Sequence, residues 1–136
     1  MSVPADGPCH CGRNDARGRP LSLARCCGRF LSELEATPAP DAGSLMRSRY
    51  CAFVLEDAGY LLATWHPSTR PPEIGFEPGL KWLGLEVRDE RQLDSSHAEV
   101  EFIARSRLGG RGQRLHERSR FVCEDGRWYY VDGDMR

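Results

Sequence analysis

The sequence predicts an α+β protein in which an antiparallel sheet packs on helices and follows a small cysteine-rich module. Four of the six cysteines lie within the first thirty residues, and apolar residues between 41 and 56 recur at helical spacing. From Lys81 onward apolar and polar residues alternate with period two. The proline-rich stretch Thr37–Pro40 separates these parts. We therefore divide the chain of 136 residues into a module of residues 1–36 and a domain of residues 37–136.

The four early cysteines have the pattern of a metal site: Cys9, Cys11, Cys26 and Cys27. Zinc takes four soft or borderline ligands in a tetrahedron, and thiolates at about 2.3 Å satisfy it. Gly12 and Gly28 follow the two cysteine pairs and give the backbone freedom to turn the sulfurs toward one point. Five arginines and a single acid lie between Gly12 and Phe30, and nearby cations favour the thiolate form. The pattern predicts one structural zinc ion. His10, between the first two cysteines, could replace one sulfur as a ligand, but we expect it to be a bystander.

Disulfide bonds and free thiols are the competing interpretations of these cysteines. A disulfide framework needs an oxidising compartment. Residues 1–8 have neither a basic start nor an apolar core, so we expect no signal peptide. No stretch is apolar enough to span a membrane, and we therefore expect a cytoplasmic protein with reduced thiols. Cys51 and Cys123 fall in apolar patterns and are predicted to be small core residues.

Two helices should precede the sheet. Asp41 is a good N-cap for a helix running to about Glu56, and a second short helix should span 57–65. Residues 67–79 are rich in proline and should form a long loop. The sheet should be a four-stranded meander with turns at 94–96, 109–112 and 125–126. In the first strand the apolar face is predicted to carry Leu83, Leu85 and Val87.

The turn positions predict which residues face each other across the sheet. A two-residue turn at Asp125-Gly126 sets Phe121 opposite Tyr130 and Ser119 opposite Asp132. A four-residue loop at 109–112 sets three further pairs across the second and third strands: Val100 with Phe121, Ala104 with Glu117, and Glu101 with Arg120. This assignment places Glu117, Ser119 and Asp132 on the apolar, helix-facing side.

These three polar residues define a candidate site. Polar groups on an apolar face are costly unless they are paired, so they indicate a hydrogen-bonded network or a wet pocket. The helical residues that could line it are Arg49, Tyr50, Trp65 and His66. The patch can be purely structural, it can bind a small and partly apolar molecule, or it can support catalysis. The catalytic interpretation uses His66 or Glu117 as general base.

Several runs of the chain resemble known families. Cys9-x-Cys11 followed by Cys26-Cys27-Gly28 resembles the SEC-C motif, the zinc-binding tail of the SecA translocation motor, although the loop between the pairs is longer than usual. Five further runs are similar to the YchJ-like family of uncharacterised bacterial proteins: residues 45–54, 60–67, 82–85, 117–121 and 128–133. The resemblance implies a domain of the nuclear-transport-factor-two (NTF2)-like type, a curved sheet wrapped on helices as a cone. It implies no known activity.

The function that these features favour is a zinc-binding adaptor without enzymatic activity, whose cysteine module contacts a protein partner. The alternative is a small-molecule-binding or hydrolase/isomerase-type cone with a polar pocket around Glu117. A net charge of −1 gives no general attraction to nucleic acid, and the arginine-rich hairpin at 105–120 is interleaved with acids. An open sheet of this type can also dimerise through its outer face.

Overall fold

The computed structural model of the protein describes residues 7–32 and 36–136. A 3-10 turn, Leu23–Arg25, and helix α1, Gly28–Ser32, belong to the module. Two helices follow: α2, Ala42–Leu55, and α3, Ala58–Ala63. The four strands are β1, Lys81–Gln92; β2, His97–Leu108; β3, Arg111–Glu124; and β4, Arg127–Met135. The fold is α+β, as predicted.

Helices α2 and α3 each follow an aspartate N-cap. The Asp41 side chain accepts a hydrogen bond from the Ser44 amide at 2.7 Å, and Asp57 accepts one from the Tyr60 amide at 3.0 Å. Helix α2 ends at Leu55, and the capping residue after it, Glu56, adopts the left-handed conformation with φ 56°. Residues 66–80 contain neither helix nor strand, which confirms the predicted long loop.

The sheet is an antiparallel meander with spatial order β1-β2-β3-β4. The β3–β4 hairpin turns at Asp125-Gly126, whose φ values of 52° and 78° match a tight primed turn, and Phe121 pairs with Tyr130 as predicted. The predicted pairing of Ser119 with Asp132 is wrong. An irregularity opposite Arg120 and Phe121 adds one residue to β4, so Ser119 pairs with Gly133.

The predicted β2–β3 register is also wrong, by two residues. The hairpin closes through Gly109 and Gly110, both with positive φ, so Leu108 pairs with Arg111 and the loop is two residues long. The observed partners are therefore Val100 with Ser119, Ala104 with Leu115, and Glu101 with Arg118. A shift of two residues preserves the face of every side chain, and the predicted faces of β2 and β3 are therefore correct.

Strand β1 departs from simple alternation at two places. Register shifts lie between Trp82 and Gly84 and between Val87 and Asp89. Leu83 is the extra residue of the first shift and is 56% exposed, so its predicted place on the core face is wrong. Trp82 packs against the core instead and contacts the rings of Tyr50 and Phe53 edge-on or tilted, at 5.7 and 6.0 Å between centroids.

One apolar core lies between the sheet and helices α2 and α3. Its fully buried members include Leu45, Leu61, Val100 and Phe121. The segment after α3 then hydrogen-bonds to β4: the Tyr130 amide donates to the Thr64 carbonyl at 2.9 Å, and the His66 amide donates to the Tyr130 carbonyl at 2.8 Å. Because both the amide and the carbonyl of Tyr130 bond to this segment, the helical layer is fixed to the β4 edge of the sheet.

The predicted division at residue 36 stays a prediction. The helical turn that ends the module is described as far as Ser32, and residues 33–35, which precede the boundary, lie outside the described residues. Residues 1–6, most of the segment on which the absence of a signal peptide was predicted, lie outside them as well. Within 7–32 and 36–136, no helix has both the length and the apolar character needed to cross a membrane.

Candidate functional site

The cysteine module is built from turns rather than from long elements. The Cys9 amide donates to the Leu21 carbonyl at 2.9 Å, and the Leu23 amide donates to the Gly7 carbonyl at 2.8 Å, which bring the first cysteine pair beside the second. Gly12 has φ 77°, the left-handed conformation expected for the turn after Cys11. Gly28 serves a different need, because a Cβ there would lie 2.5 Å from the Leu23 carbonyl oxygen.

The four predicted ligand residues meet at one point. The sulfur atoms of Cys9, Cys11, Cys26 and Cys27 all lie within 4.8 Å of one another, and all four residues are buried. The Cys11 and Cys26 sulfurs are 3.6 Å apart, and those of Cys26 and Cys27 are 4.0 Å apart. Neither separation is a disulfide bond, and all six cysteines are free. This geometry suggests a metal site with four sulfur ligands.

Close contact between the sulfurs shifts the pKa values of individual thiols in opposite directions. Hydrogen bonds from neighbouring thiols, from Cys27 first, lower the pKa of Cys11 because they stabilise its thiolate. The same contact with Cys11 raises the pKa of Cys27, which acts as the donor. A bound cation would displace the protons of the thiols that ligate it.

Polar groups of the module and of α2 surround the cluster. Arg29 donates to the Cys26 carbonyl at 2.9 Å, and Arg47 donates to the Cys11 carbonyl at 3.1 Å. These two guanidinium groups add positive charge beside the sulfurs. His10 is not among the four converging residues; burial lowers the pKa of its imidazole, and its Nε2 has no hydrogen-bond partner in the described part of the chain.

A fifth cysteine lies beside the four. Cys51, on α2, is fully buried, and its sulfur is 3.5 Å from the sulfur of Cys9. The prediction that Cys51 is a core residue is correct as to burial, but it missed this contact. Position 51 follows Arg47 by one helical turn, but the sequence carries no local signal that this face of α2 meets the module.

Glu117, Ser119 and Tyr130 form a small hydrogen-bonded group in the cone domain. The Ser119 hydroxyl donates to the Glu117 carboxylate at 2.5 Å, and the Tyr130 hydroxyl donates to the same oxygen at 3.2 Å. Ser119 is buried, and Glu117 is partly exposed. A Cβ on Gly133 would overlap the Glu117 side chain, so the missing side chain at 133 makes room for the carboxylate. Each polar group of the trio is therefore satisfied internally.

Arg49 is the buried cation of this region. Its Nη1 donates to the Leu61 carbonyl at 2.8 Å and to the Thr64 hydroxyl at 2.7 Å. The guanidinium carbon lies 4.7 Å from the ring centre of Tyr130 and 5.1 Å from that of Trp65. Burial lowers the pKa of Arg49 to about 10, which leaves it charged at neutral pH.

The other three predicted pocket residues, Tyr50, His66 and Asp132, each contact a different part of the structure. The Tyr50 ring packs on Trp82, and burial raises the pKa of its hydroxyl to about 12. His66 Nε2 lies 3.0 Å from the Glu124 carboxylate, and its Nδ1 lies 2.7 Å from the Ser68 hydroxyl. Asp132 accepts from Arg120 at 2.6 Å on the outer face, where the extra residue of β4 turns it. The structure therefore groups Arg49, Trp65, Glu117 and Ser119 around Tyr130, and it places Tyr50, His66 and Asp132 elsewhere.

The arginine-rich outer face is a network of charge pairs. Arg118 donates to the carboxylates of Glu99, Glu101 and Asp89 at 2.7, 3.1 and 3.0 Å. Arg120 contacts Asp132 and also Asp134, at 2.7 Å. These arginines are therefore occupied by acids of the same sheet, which supports the interpretation of a solvated face.

Among the cavities on the part of the chain that the structure describes are three that Glu117 does not line. The largest of the three, of about 390 Å³, is an open groove on the module whose lining includes Leu23, Ala24, Leu31 and Leu55. A second, of about 140 Å³, lies between the end of α2 and the 75–80 loop. The third, of about 10 Å³, is a crevice beside Tyr60.

The fold and the four-cysteine site together define an NTF2-like cone domain joined to a SEC-C-type module. The family model described as the middle NTF2-like domain of YchJ matches residues 41–133. The UPF0225 protein of Polaromonas sp. strain JS666 is 69% identical over 129 residues, covering 94% of this chain and 93% of that protein. The UPF0225 protein of Bordetella pertussis is 54% identical over 138 residues, covering 99% and 96%. The chain belongs to the YchJ-like UPF0225 family.

Two solved structures resemble the whole chain. The solution structure of a SEC-C motif containing protein from Rhodopseudomonas palustris has a TM-score of 0.78 at 34% identity, covering 93% of this chain and 97% of that chain. The crystal structure of a SEC-C motif containing protein from Psychrobacter arcticus has a TM-score of 0.80 at 31% identity, covering 94% and 82%. The predicted family and fold are confirmed.

Proposed function

We propose that this protein is a zinc-stabilised adaptor: the four cysteines hold one structural zinc ion, and the module contacts a protein partner. The metal half of this proposal is the binding of zinc by the four cysteines. It rests on the convergence of four buried sulfurs within 4.8 Å. Four sulfurs about 2.3 Å from a central zinc ion stand about 3.8 Å apart in a tetrahedron. The observed separations of 3.6 and 4.0 Å bracket that value.

A structural role fits this site better than a catalytic one. Catalytic zinc keeps one coordination position for water or substrate, whereas structural zinc is closed by four protein ligands. Here four cysteines are available, none more than 6% exposed, and no carboxylate joins the converging group. Free, reduced cysteines are also what the predicted cytoplasmic location requires.

The docking half of the proposal is contact between the module and a protein partner. The groove on the module supports it. It is lined mainly by apolar atoms, and it joins Leu23 and Leu31 of the module to Leu55 at the end of α2. An exposed apolar groove on a structured surface is typical of a protein-binding site. An apolar side chain of a partner protein is the occupant that this lining fits, because Arg29 is the only charged residue among the described residues that line it.

Native mass spectrometry tests the metal half. Protein isolated without added metal should carry one zinc ion, and Cys26→Ser should lose it. Cys123→Ser is the matched control, because Cys123 lies on β3 outside the converging four, and it should keep the ion. Wild-type protein that binds no zinc even when the metal is supplied would overturn the metal half.

Two matched substitutions test the docking half. Ala24→Glu places a charge in the groove, and Ala16→Glu places the same charge on an exposed turn of the module outside it. Both variants should retain zinc. We expect capture of the protein partner in pull-down experiments to weaken only with Ala24→Glu. Equal capture by both variants would refute docking in the groove.

The alternative function, a ligand or catalytic pocket around Glu117, has less geometric support. Its two candidate bases lie apart, since His66 contacts Glu124 while Glu117 contacts Ser119 and Tyr130. It stays a prediction, with Arg49, Trp65, Glu117 and Ser119 as the residues that remain together. Retained small-molecule ligand in the same native mass spectra, lost in Glu117→Ala, would favour it over the adaptor.

A further inference from the structure

One face of helix α2 holds the cysteine module. Ser44, Arg47 and Cys51 follow one another at spacings of three and four residues, so their side chains lie along one stripe. Ser44 accepts a hydrogen bond from Arg13 at 3.2 Å, Arg47 donates to the Cys11 carbonyl at 3.1 Å, and Cys51 touches Cys9. These three contacts all reach the loop that contains the first cysteine pair.

Cys51 makes the deepest of these contacts. It is 0% exposed, and it belongs to the same buried cluster as the four ligand residues and Leu23. Leu85 of β1 packs against this cluster from the sheet side. The Cys51 sulfur is therefore enclosed between the module and the cone domain, with the Cys9 sulfur 3.5 Å away.

The ligand count assigns Cys51 a place outside the first coordination sphere. Structural zinc takes four ligands, and the four sulfurs that all lie within 4.8 Å of one another exclude Cys51. A neutral thiol beside a metal-bound thiolate can donate an S–H···S hydrogen bond, because the thiolate is the better acceptor. Residues that hydrogen-bond to ligands orient them and tune the metal site.

We propose that Cys51 is a positioning residue of the metal centre, which donates its thiol hydrogen to the Cys9 sulfur and so couples metal binding in the module to the stability of the cone domain. The proposal rests on the metal half of the proposed function and is independent of the partner. Cys51 contributes no electrons and no ligand bond; it fixes the direction from which Cys9 approaches the ion.

The chain contains a built-in reporter for this coupling. All three tryptophans, Trp65, Trp82 and Trp128, lie in the cone domain, so tryptophan fluorescence follows unfolding of that domain. Zinc bound in the module should raise the unfolding temperature reported by these tryptophans, although none of them is in the module. The size of that rise measures how strongly the two parts are coupled.

Two substitutions separate the hydrogen bond of Cys51 from its packing. Cys51→Val keeps an apolar side chain of similar size and removes the donor, whereas Cys51→Ser keeps a donor. Cys123→Val is the control. In chelator competition, Cys51→Val should lower zinc affinity by about 10- to 100-fold, and Cys51→Ser by less than about tenfold. The rise in unfolding temperature on zinc binding should shrink in the same order, relative to each variant's own metal-free form.

The outcomes distinguish the two proposals. If wild-type protein binds zinc and Cys51→Val matches the control in both affinity and temperature rise, the role of Cys51 is refuted while the zinc site stands. If wild-type protein binds no zinc, both fail. If Cys51→Val does not fold, Cys51→Ala, which also lacks the donor, decides the case: zinc affinity and temperature rise equal to those of the Cys123→Val control would refute the hydrogen-bond role, and a loss larger than that of Cys51→Ser would support it.

Discussion

The cysteine module and the cone domain are stabilised in different ways. Over residues 7–32 the module has one 3-10 turn, five residues of α-helix and two isolated bridges, and most of its buried side chains are cysteines. The cone domain has four strands of 9 to 14 residues and a continuous apolar core. A segment as short as the module cannot bury enough apolar surface to offset its loss of conformational entropy. We therefore expect its order to come from the proposed metal ion and from its contacts with α2, whereas the cone domain, which includes α2, has a core of its own and needs no metal.

The largest effect should follow removal of the metal. Zinc contributes about 10–16 kcal/mol of apparent binding free energy in small zinc-dependent folds, which exceeds what the module can supply by packing. In hydrogen–deuterium exchange, a chelator should abolish protection of amides such as those of Cys9 and Leu23 while leaving β2 and β3 protected. Protection that persists in the module after verified metal loss would contradict this division.

The second effect concerns the core of the cone. Phe121 is among the largest fully buried side chains, and Phe121→Ala should lower the free energy of unfolding by about 3–5 kcal/mol. Leu83→Ala, in an exposed position on β1, is the control and should change it by less than about 0.5 kcal/mol. Urea denaturation followed by tryptophan fluorescence measures both. Equal losses would mean that β1 packs differently from the described register.

A smaller effect is expected at the polar trio. Glu117→Ala removes the acceptor of the Ser119 and Tyr130 hydroxyls, and leaving these donors unpaired should cost about 1–3 kcal/mol. Glu117→Gln keeps an acceptor and should cost less. Glu86→Ala, on the exposed face of β1, controls for the loss of a surface carboxylate. A stabilised Glu117→Ala variant would instead indicate that the carboxylate is strained for function.

The smallest effect is a pH dependence on the outer face. The hydrogen bond from His116, followed by that from Arg118, lowers the pKa of Glu101 below its ordinary 4.5. A depressed pKa in the folded state stabilises the protein above about pH 4.5, and this contribution is lost as the pH falls through the lower value. The urea midpoint of wild-type protein should therefore fall more steeply with acid than that of Glu101→Gln. Parallel curves for the two proteins would show that this contact contributes nothing.

The comparison also explains what could be predicted from the sequence. Period-two alternation defined the faces of β2 and β3, because burial on one side of a sheet leaves a local signature at every second residue. The residue pairs across β2 and β3 were harder to predict. Gly109, Gly110 and Gly112 all permit a turn, so the sequence does not distinguish a two-residue turn from a four-residue loop. The extra residue of β4, which turns Asp132 outward, depends on how the sheet closes against Thr64 and His66.

The metal site was more predictable than the polar site for a physical reason. Cysteine ligands are drawn from short, nearby pairs, so spacing alone brings Cys9, Cys11, Cys26 and Cys27 together. The contact of Cys51 depends on how α2 docks against the module, which is a tertiary property without a local pattern. The separation of His66 from Glu117 is tertiary in the same way, since it follows from where the 64–66 segment meets β4.

The two irregularities of β1 have a consequence for the behaviour of the protein at high concentration. Among the described residues, β1 pairs with β2 alone, so its other side offers backbone groups that could recruit a strand from another molecule. The shifts at Trp82/Gly84 and Val87/Asp89 break the regular row of donors and acceptors, and charged side chains flank the second shift. Strand β1 is therefore a poor template for edge-to-edge polymerisation. The irregularities protect the sheet from aggregation through its unpaired β1 edge.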